Sequence, residues 1–590
     1  MPNSSAKHLD LVWKIGGEAG NGIMVIGSIF ARAVTRAGFS VFDYQEYPSL
    51  IRGGHNVYQV RFSTKPIHAQ APWTNVLVAL NRETIDLHIE EVRSGGIVLH
   101  DGNEVPIDTH HIKPGIKYVN VPFLQIARDV AGERLMMNTV ALGASARAIG
   151  MDFLLLAGVI ADMFKDKGPK VVSLDLKCAK AGYDYVEKHY SEQSYAPLPK
   201  NKTKKQVLLN GVEAMAMGAI KAGMNFYAAY PMTPSSGFLS FFAEHAERYN
   251  MVVKQTEDEI AAINMAVGAG YAGVRSMVAT SGGGFSLMVE GVGLAGMTET
   301  PVVIIEGMRG GPSTGLPTWT EQADLLFVRH ASQGDFPRLV VAPGDIEEAF
   351  YLTAEAFNWA EQFQLPVIIL SDKYLAESHT GVNEFDTKKI KILRGEYIDD
   401  RGMSTDTSAP RYAVTHSGVS PRMLPGIHKV IFNVSSDEHD ELGDINEEID
   451  NRIAQMNKRM KKLSELASLL PRPTLYGPAK AEMTLIGWGS VKGAVLDALE
   501  LLLAQGITTN FLHLTYMHPF PATAVKDILK NSKHTMMIEG NYSGQGEALL
   551  KQETLHSPDF HLRKYDGRPF YADEIADYVR QTLHSQSHQK

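Results

Sequence analysis

Short apolar runs alternate with helical stretches through the middle of the chain, and this alternation restricts the fold more than any other feature. The candidate strands are Arg275–Thr280, Pro301–Glu306, Leu339–Ala342 and Pro366–Ser371. Between two of them, Asp345–Phe363 has helical spacing, and Asp345 is placed to cap its first turn. Strand and helix repeated in this way predict an α/β fold with a mostly parallel sheet covered on both faces.

The two ends of the chain repeat this pattern on a smaller scale. Candidate strands lie at Met483–Trp488, Asn510–Leu514 and Thr535–Glu539, and Leu9–Ile15 begins the N-terminal part. A chain of 590 residues is too long for one hydrophobic core, so we expect several domains.

Three polar segments divide the chain. Residues 191–205 are rich in Ser, Pro, Asn and Lys and predict an exposed linker. A second polar stretch runs from about Ala376 to Pro425. The charged segment Asp437–Leu466 has apolar residues at roughly helical spacing, which predicts a helix with a solvated face or an arm onto a partner.

Charge and cysteine content exclude several classes of protein. A formal charge of -9 gives no reason to expect binding to nucleic acid or to an anionic membrane. Cys178 is the single cysteine, so the chain cannot form an internal disulfide or hold an iron–sulfur cluster by itself. The chain also lacks a signal-like N-terminus and an apolar run of about 18 residues, so we expect a soluble, cytoplasmic protein.

A glycine-rich turn at residues 16–22 follows the first candidate strand and precedes an apolar helix. Glycines at such a junction let backbone N–H groups approach a phosphate at the helix N-terminus. The spacing differs from the dinucleotide-binding pattern, however. A tight structural turn and an anion site therefore both remain open.

Glu259 begins an alanine- and glycine-rich helix within Gln255–Gly273. Glycine inside a helix costs about 1 kcal/mol relative to alanine, so the pattern predicts a close approach to that helix face. The spacing is similar to that of pyrimidine-binding domains of thiamine-diphosphate enzymes, which need one buried carboxylate for proton transfer. Alternatively, residues 256–259 form a capping box in which Glu259 only accepts from the N–H of Thr256.

Two loops follow candidate strands. Residues 230–236 come after Phe226–Ala229, and residues 309–318 come after Pro301–Glu306. Parallel sheets bind ligands where their strands end. The planar fork of Arg309 suits a carboxylate, although a surface or structural role is an alternative.

Together these motifs resemble the 2-oxoacid:ferredoxin oxidoreductases. The segments YPMTPSS (230–236), EDEIAAINMAVGAGYAG (257–273), SGGGFSLM (281–288) and RGGPSTGLPT (309–318) are similar to its α subunit. The segments GGEAGNG (16–22) and EYPSLIRGGHN (46–56) are similar to its γ subunit. The resemblance covers nearly the whole chain. It implies a γ-type domain (8–195), a pyrimidine-binding domain (206–380), a linker with a charged helical segment (381–475) and a domain resembling the last domain of transketolases (476–590).

The resemblance also implies roles for individual residues. Glu259 is implied to activate the aminopyrimidine of the cofactor, and Arg309 with Thr318 to hold the 2-oxoacid carboxylate. Thr233 is implied to meet both cofactor and substrate, and Tyr230 and Pro231 to contact the cofactor. We expect His55 to be structural, the loop at 539–546 to serve packing or subunit contact, and no metal ligand in this chain.

The implied reaction converts 2-oxoglutarate and coenzyme A to succinyl-CoA and CO₂, with ferredoxin as electron acceptor. The γ–α fusion and the stretch Arg411–Arg422 favour the 2-oxoglutarate branch. The chain lacks the family's GDG-type motif for the diphosphate. The resemblance therefore implies a β subunit that holds Mg²⁺, a [4Fe-4S] cluster and the diphosphate end of a shared thiamine diphosphate. We expect a heterodimer or heterotetramer, inactive without β.

Several alternatives stay open at this point. The substrate could be pyruvate or a branched-chain 2-oxoacid, because no anchor for a distal carboxylate is identified. A non-redox thiamine enzyme is a second alternative. A nucleotide-binding electron-transfer or regulatory subunit that uses the N-terminal glycine turn is a third.

Overall fold

The computed structural model describes residues 8–50, 53–107, 112–199, 206–399, 401, 408–427 and 432–587. These residues form two compact units. The first comprises the chain up to Leu209 together with Glu377–Glu384 and Tyr571–Asp573. The second comprises Asn210–Ala376, Phe385–Phe570 and the chain from Glu574 onward. Within the described ranges, no helix is long and apolar enough to cross a membrane.

The helices and strands alternate along most of the chain. The strands are β1 Asp10–Glu18, β2 Ser40–Glu46, β3 His55–Ser63, β4 Thr74–Ala79, β5 Val92–His100, β6 Lys117–Asn120, β7 Val207–Leu209, β8 Phe226–Ala229, β9 Val252–Gln255, β10 Ser276–Thr280, β11 Val302–Met308, β12 Leu339–Val341, β13 Pro366–Asp372, β14 Thr380–Val382, β15 Thr474–Tyr476, β16 Met483–Trp488, β17 Thr509–Leu514, β18 Tyr516–His518, β19 Thr535–Glu539 and β20 Phe560–Arg563. The α-helices are α1 Ile23–Arg36, α2 Arg82–His88, α3 Phe123–Ala131, α4 Met137–Ala148, α5 Phe153–Met163, α6 Pro169–Tyr190, α7 Gly211–Lys221, α8 Ser236–His245, α9 Glu259–Tyr271, α10 Gly282–Met297, α11 Leu325–His330, α12 Ile346–Phe363, α13 Lys373–Glu377, α14 Ile449–Leu469, α15 Val491–Ala504, α16 Ala522–Leu529, α17 Gln545–Thr554 and α18 Ala572–Ser587.

The first unit contains a mixed eight-stranded sheet in the order β6-β5-β4-β1-β3-β2-β14-β7. Strand β1 pairs in parallel with β4 and antiparallel with β3. Its residues 11–17 are buried without alternation, as expected for a strand covered on both faces. On one face Trp13 stacks on Phe30 of α1, with ring centroids 4.2 Å apart.

The second unit contains the parallel sheet that the sequence predicts. Its strand order is β18-β12-β13-β11-β10-β8-β9, and every pair except β12–β18 is parallel. The four candidate strands of this region correspond to β10, β11, β12 and β13 with ends shifted by at most two residues. Asp345 caps α12 as predicted, because its side chain accepts from the Glu348 N–H at 2.8 Å.

A five-stranded sheet in the same unit has the order β15-β17-β16-β19-β20 and is parallel except for β15. Residues of β16 and β17, among them Trp488 and Leu512, belong to the same buried cluster as Val278 and Ile304 of the parallel sheet. The prediction of an α/β fold is confirmed for all three sheets. The four domains predicted from the sequence remain a prediction, since the two compact units are a coarser division.

The prediction for the charged segment is wrong for one face of α14. Lys458 and Lys462 are completely buried there and both pair with Glu299, with Lys458 Nζ at 2.6 Å from the carboxylate. Burial lowers the pKa of Lys462 to about 8, although Glu299 opposes this shift. Burying an ammonium group is tolerated only with such a partner. This face of α14 therefore stabilises its own unit.

The polar stretch that follows α13 is also partly structural. Arg422, at the end of the stretch that favours the 2-oxoglutarate branch, is buried with its Nη1 at 3.2 Å from Glu361 Oε1. The other oxygen of Glu361 accepts from buried Arg275 at 2.8 Å. Within the same stretch, β14 joins the sheet of the first unit between β2 and β7.

Candidate active site

Three loops that follow neighbouring parallel strands meet at one edge of the second unit's central sheet. They follow β8, β10 and β11 and carry Thr233, Ser281 and Arg309, respectively. Arg309 Nη1 donates to the backbone oxygen of Thr233 at 2.8 Å. The end of β11 also packs closely against the first loop, because a Cβ on Gly307 would come within 2.9 Å of the Pro234 ring. The expected convergence at the carboxyl ends of the strands is confirmed.

Glu259 lies at the N-terminus of α9, but it is not the capping residue. Asp258 is the N-cap and accepts from the Ala261 N–H at 2.8 Å, while the Thr256 hydroxyl donates to the Asp258 backbone oxygen at 2.8 Å. The capping-box interpretation of Glu259 is therefore wrong. Glu259 is only 3% exposed, and no described residue donates a hydrogen bond to its Oε1. Burial raises the pKa of Glu259, and the Asp258 carboxylate adds to this shift.

The Glu259 carboxylate lies directly over Gly284 in the first turn of α10. A Cβ on Gly284 would come within 2.5 Å of Glu259 Oε1 and within 2.0 Å of Thr280 Oγ1. Glycine at this position therefore leaves the room that the carboxylate needs. The predicted close approach to the interior glycines of α9 is confirmed at Gly270, where a Cβ would lie 2.3 Å from the Pro301 backbone oxygen of the protein's own chain. It is wrong at Gly268, where a Cβ would meet nothing within 4 Å.

A cavity of about 540 Å³ opens beside Arg309. Its lining includes Met232, Ser281–Gly283, Arg309–Thr314 and Asp324. The Ser281 side chain is buried, and its Oγ has no hydrogen-bond partner among the described residues. The cavity therefore combines a guanidinium group with a free hydroxyl and the N-terminus of α10, a polar lining suited to an anion.

The remaining predicted residues lie around this edge with different exposure. Thr318 is 4% exposed, and its hydroxyl has no hydrogen-bond partner in the described part of the chain, so the structure does not join it to Arg309 directly. Tyr230 is 41% exposed, and Pro231 is exposed as well. These two side chains stand at the open side of the loop that also carries Thr233.

Two carboxyl groups at this edge were missed by the sequence reasoning. Glu306 is fully buried near the end of β11, and the Asp324 carboxyl lies close enough to raise the pKa of Glu306 beyond the effect of burial. The available signal was an acidic residue inside an otherwise apolar parallel strand, where an ionised side chain without a partner is unfavourable. The position of Asp324 could not be read from the local sequence.

The N-terminal glycine turn fits the structural alternative better than the anion site. Asn138 Nδ2 donates to the Asn21 backbone oxygen at 2.8 Å and lies over Gly22, where a Cβ would come within 2.5 Å of it. The side chain of Asn138 thus occupies the position above the turn. His55, which we expect to be structural, lies 2.9 Å from His88, whose other ring nitrogen pairs with Glu91 at 2.7 Å.

The loop after β19 packs as expected. Glu539 accepts from the Gly546 N–H and from Asn541, both at 2.7 Å. Gln322 bridges this loop, since it accepts from the Gly540 N–H at 2.8 Å and donates to the Trp488 backbone oxygen at 2.8 Å. These bonds fix the segment that follows Thr318.

Three protein-family descriptions match successive parts of the chain. "Pyruvate ferredoxin/flavodoxin oxidoreductase" matches residues 12–185, and "Pyruvate flavodoxin/ferredoxin oxidoreductase, thiamine diP-bdg" matches residues 217–458. "Pyruvate:ferredoxin oxidoreductase core domain II" matches residues 481–563. Glu259 and Arg309 both lie within the second match.

Similar proteins cover almost the whole chain. The 2-oxoacid:ferredoxin oxidoreductase subunit alpha of Saccharolobus solfataricus is 34% identical over 96% of this chain and 97% of its own. The 2-oxoglutarate oxidoreductase subunit KorA of Mycobacterium tuberculosis is 29% identical over 97% and 92%, respectively. A solved structure of 2-oxoglutarate:ferredoxin oxidoreductase from Magnetococcus marinus, with 2-oxoglutarate, coenzyme A and succinyl-CoA bound, matches with a TM-score of 0.90, 30% identity and 97% and 99% coverage. The chain therefore belongs to the 2-oxoacid:ferredoxin oxidoreductases, as a fused α-type subunit.

Proposed function

We propose that this chain is the large subunit of an enzyme that oxidatively decarboxylates 2-oxoglutarate to succinyl-CoA and CO₂, with ferredoxin as electron acceptor. The observation that carries the proposal is the Glu259 carboxylate. It is buried at the same sheet edge as Arg309, and no described residue donates a hydrogen bond to its Oε1. The preference for 2-oxoglutarate is supported by relatives in Mycobacterium tuberculosis and Magnetococcus marinus that are described as acting on it.

The residues around Glu259 fit the aminopyrimidine end of thiamine diphosphate. The orphaned Oε1 can bond a ring nitrogen, and the small side of Gly284 leaves space beside it. When bound, the cofactor supplies a nucleophilic carbon and an electron sink for decarboxylation. The part of Glu259 is to hold a proton at Oε1, and the raised pKa of its buried carboxyl group favours the protonated form that this role needs. Tyr230 and Pro231 are proposed to flank the cofactor.

Arg309 is proposed to hold the carboxylate of the 2-oxoacid. Among the described residues, the Arg309 guanidinium donates one hydrogen bond, to the Thr233 backbone oxygen. Most of its N–H donors therefore remain available to a ligand. Thr318, whose buried hydroxyl has no hydrogen-bond partner among the residues that the structure describes, is proposed as a second donor. Thr233 is proposed as a residue that meets both cofactor and substrate. A bidentate guanidinium–carboxylate pair fixes the orientation of the substrate as well as its charge.

The remaining groups are proposed to come from a β subunit. One buried cysteine in the chain cannot hold a [4Fe-4S] cluster, which takes about four thiolates. We place the diphosphate, Mg²⁺ and the cluster on β, expect a heterodimer or heterotetramer, and take coenzyme A as co-substrate. The location in the cytoplasm stays a prediction of the sequence. The nucleotide-binding alternative loses support because Asn138 lies over the N-terminal glycine turn.

The test is anaerobic, coenzyme-A-dependent reduction of a viologen dye. It should be run on this chain alone and on its complex with β, with 2-oxoglutarate, pyruvate and branched-chain 2-oxoacids. We expect activity only in the complex, with the highest kcat/KM for 2-oxoglutarate. Activity of the chain alone would refute the divided site, and a higher kcat/KM with pyruvate or a branched-chain acid would refute the choice of substrate.

A further inference from the structure

Glu306 and Asp324 form a buried carboxyl pair beside Arg309. Glu306 is 0% exposed, and neither of its carboxyl oxygens accepts from a donor in the described ranges. The Asp324 carboxyl lies close enough to raise the pKa of Glu306 beyond the effect of burial. Two ionised carboxylates buried close together without a donor would repel each other strongly, and protonation of one of them removes this repulsion. We therefore expect the pair to hold one proton and one negative charge.

Asp324 lies between Glu306 and the cavity. It immediately precedes α11, but its side chain caps no N–H of that helix. Its Oδ2 lies instead over Gly282, 2.5 Å from where a Cβ would be, and the residue lines the cavity beside Arg309. The charge of the pair therefore changes the electrostatic potential at the position that an anionic ligand of Arg309 would occupy.

The charged groups that face the pair act in opposite directions. Burial raises the pKa of Glu306, and the carboxylates of Asp324 and Asp372 add to the shift, while Arg309 opposes it. Burial also raises the pKa of Asp324, and Arg309 opposes that shift too. Glu321 faces Asp324 from the same loop. Because the two carboxyl groups interact directly, they titrate as a pair in two steps.

The singly protonated pair matches the charge of Arg309. One negative charge attracts the guanidinium and holds it against the Thr233 backbone oxygen, where it donates at 2.8 Å. Loss of the shared proton at high pH would place a second negative charge beside the cavity. That charge would repel any carboxylate bound by Arg309.

We propose that Glu306 and Asp324 are a proton-sharing positioning pair that orients Arg309 and sets the upper pH limit at which the site accepts an anionic 2-oxoacid. The inference rests on the proposed function in assigning the substrate carboxylate to Arg309. Neither residue is proposed to touch the reacting atoms. Their role is to keep the guanidinium in place and the cavity free of excess negative charge.

Asp324→Asn is the decisive variant. Its amide can donate to the Glu306 carboxylate, so it keeps the single negative charge but has no proton to lose. In the complex with β, KM for 2-oxoglutarate is measured from about pH 6 to about pH 9.5. In the wild type we expect KM to rise about tenfold or more toward alkaline pH, as one added charge in a partly buried site predicts. In Asp324→Asn we expect KM to stay nearly flat across this pH range.

The matched control is Glu290→Gln, which removes an exposed carboxylate from α10 away from the pair. It should retain the wild-type pH profile. A wild-type KM that is independent of pH, or an alkaline rise that persists in Asp324→Asn, overturns the proposal. Glu306→Gln gives a second variant with the same charge and should reproduce the flat profile.

Infrared difference spectroscopy separates this proposal from the proposed function. Spectra of the wild-type chain minus those of a variant, recorded without substrate, cancel the band of any other protonated carboxyl group, Glu259 included. The C=O stretch of a buried protonated carboxyl group should remain after subtraction of Glu306→Gln and of Asp324→Asn but not after subtraction of Glu290→Gln. Absence of this band from both pair differences overturns the proton-sharing pair whatever the substrate is. A band that behaves as expected in a chain inactive with every 2-oxoacid would refute the proposed function alone.

Discussion

Replacing Glu259 by Gln tests the central assignment of the site. Gln has nearly the same shape, so it fits over Gly284, but it cannot take up or release a proton at neutral pH. A positioned acid–base group contributes about 10²- to 10⁴-fold to a rate, which is about 2.7–5.4 kcal/mol of activation free energy. We therefore expect kcat to fall by that factor. KM for the 2-oxoacid should change less than threefold or so, because Arg309 is proposed to bind the substrate.

Stability provides an independent measurement on the same variant. Burial raises the pKa of Glu259 in the folded state above its value in the unfolded state. The free energy of unfolding therefore falls as pH rises from the unfolded-state pKa through the folded-state pKa, because the folded state holds a proton that the unfolded state has lost. Gln has no such dependence. The Glu259→Gln variant should therefore melt at the same temperature as the wild type or higher at neutral and alkaline pH. Thermal melts of the purified chain measure this directly.

The neighbouring residue Asp258 is the matched control. Asp258→Ala removes the N-cap bond to the Ala261 N–H and should cost about 1 kcal/mol of stability. It should leave kcat within a few-fold of the wild type. The assay is viologen reduction by the complex with β at saturating 2-oxoacid. If Glu259→Gln keeps its rate, or if Asp258→Ala loses as much rate as Glu259→Gln while it melts like the wild type, the assignment of Glu259 is refuted.

Three further predictions concern other parts of the chain. Gly284→Ala should lower kcat in the dye assay about tenfold or more, because its Cβ would meet both Glu259 and Thr280. Its control is Gly283→Ala, whose Cβ would meet only a backbone oxygen at 3.9 Å and which should leave kcat nearly unchanged. Glu299→Gln removes the carboxylate that pairs with two buried ammonium groups and should lower the free energy of unfolding by about 3–5 kcal/mol. The measurement is the urea midpoint of the second unit, which should fall. An unchanged midpoint would contradict the role given to α14. Burial lowers the pKa of His55 from 6.5 to about 4, and the charges of His88 and Lys14 add to this shift. The folded state therefore favours neutral His55. This contribution to the free energy of unfolding is present at higher pH and is lost as pH falls from 6.5 toward 4. His55→Gln should flatten that part of the melting-temperature profile, and a profile as steep as that of the wild type would argue against it.

Features encoded by local periodicity could be predicted from the sequence. The strands of the parallel sheet are runs buried on both faces, so β10, β11 and β13 stand out from the helices between them. Because parallel strands end at one edge, the meeting of the Thr233 and Arg309 loops followed from strand order alone. Local sequence did not decide the role of Glu259, since Asp258 and Thr256 were equally able to shape the helix start.

Features that depend on distant partners could not be predicted. The charged face of α14 is buried because Lys458 and Lys462 meet Glu299, which lies far earlier in the chain. Asp324 comes close to Glu306 only because a long loop returns it to the end of β11. In both cases the sequence indicates charge, whereas the fold decides whether that charge meets water or a partner.

The position of β14 has a consequence for how the chain is made. The sheet of the first unit is completed by β14, which lies between β2 and β7 but is translated only after α7 to α13 of the second unit. Until then the backbone groups of β2 and β7 at this edge have no neighbour, and open strand edges invite pairing with other chains. A ribosome-bound chain therefore carries an unfinished sheet during synthesis of that whole stretch. An expression fragment cut after β7 would keep the exposed edge permanently, so chaperone dependence and aggregation are to be expected of it.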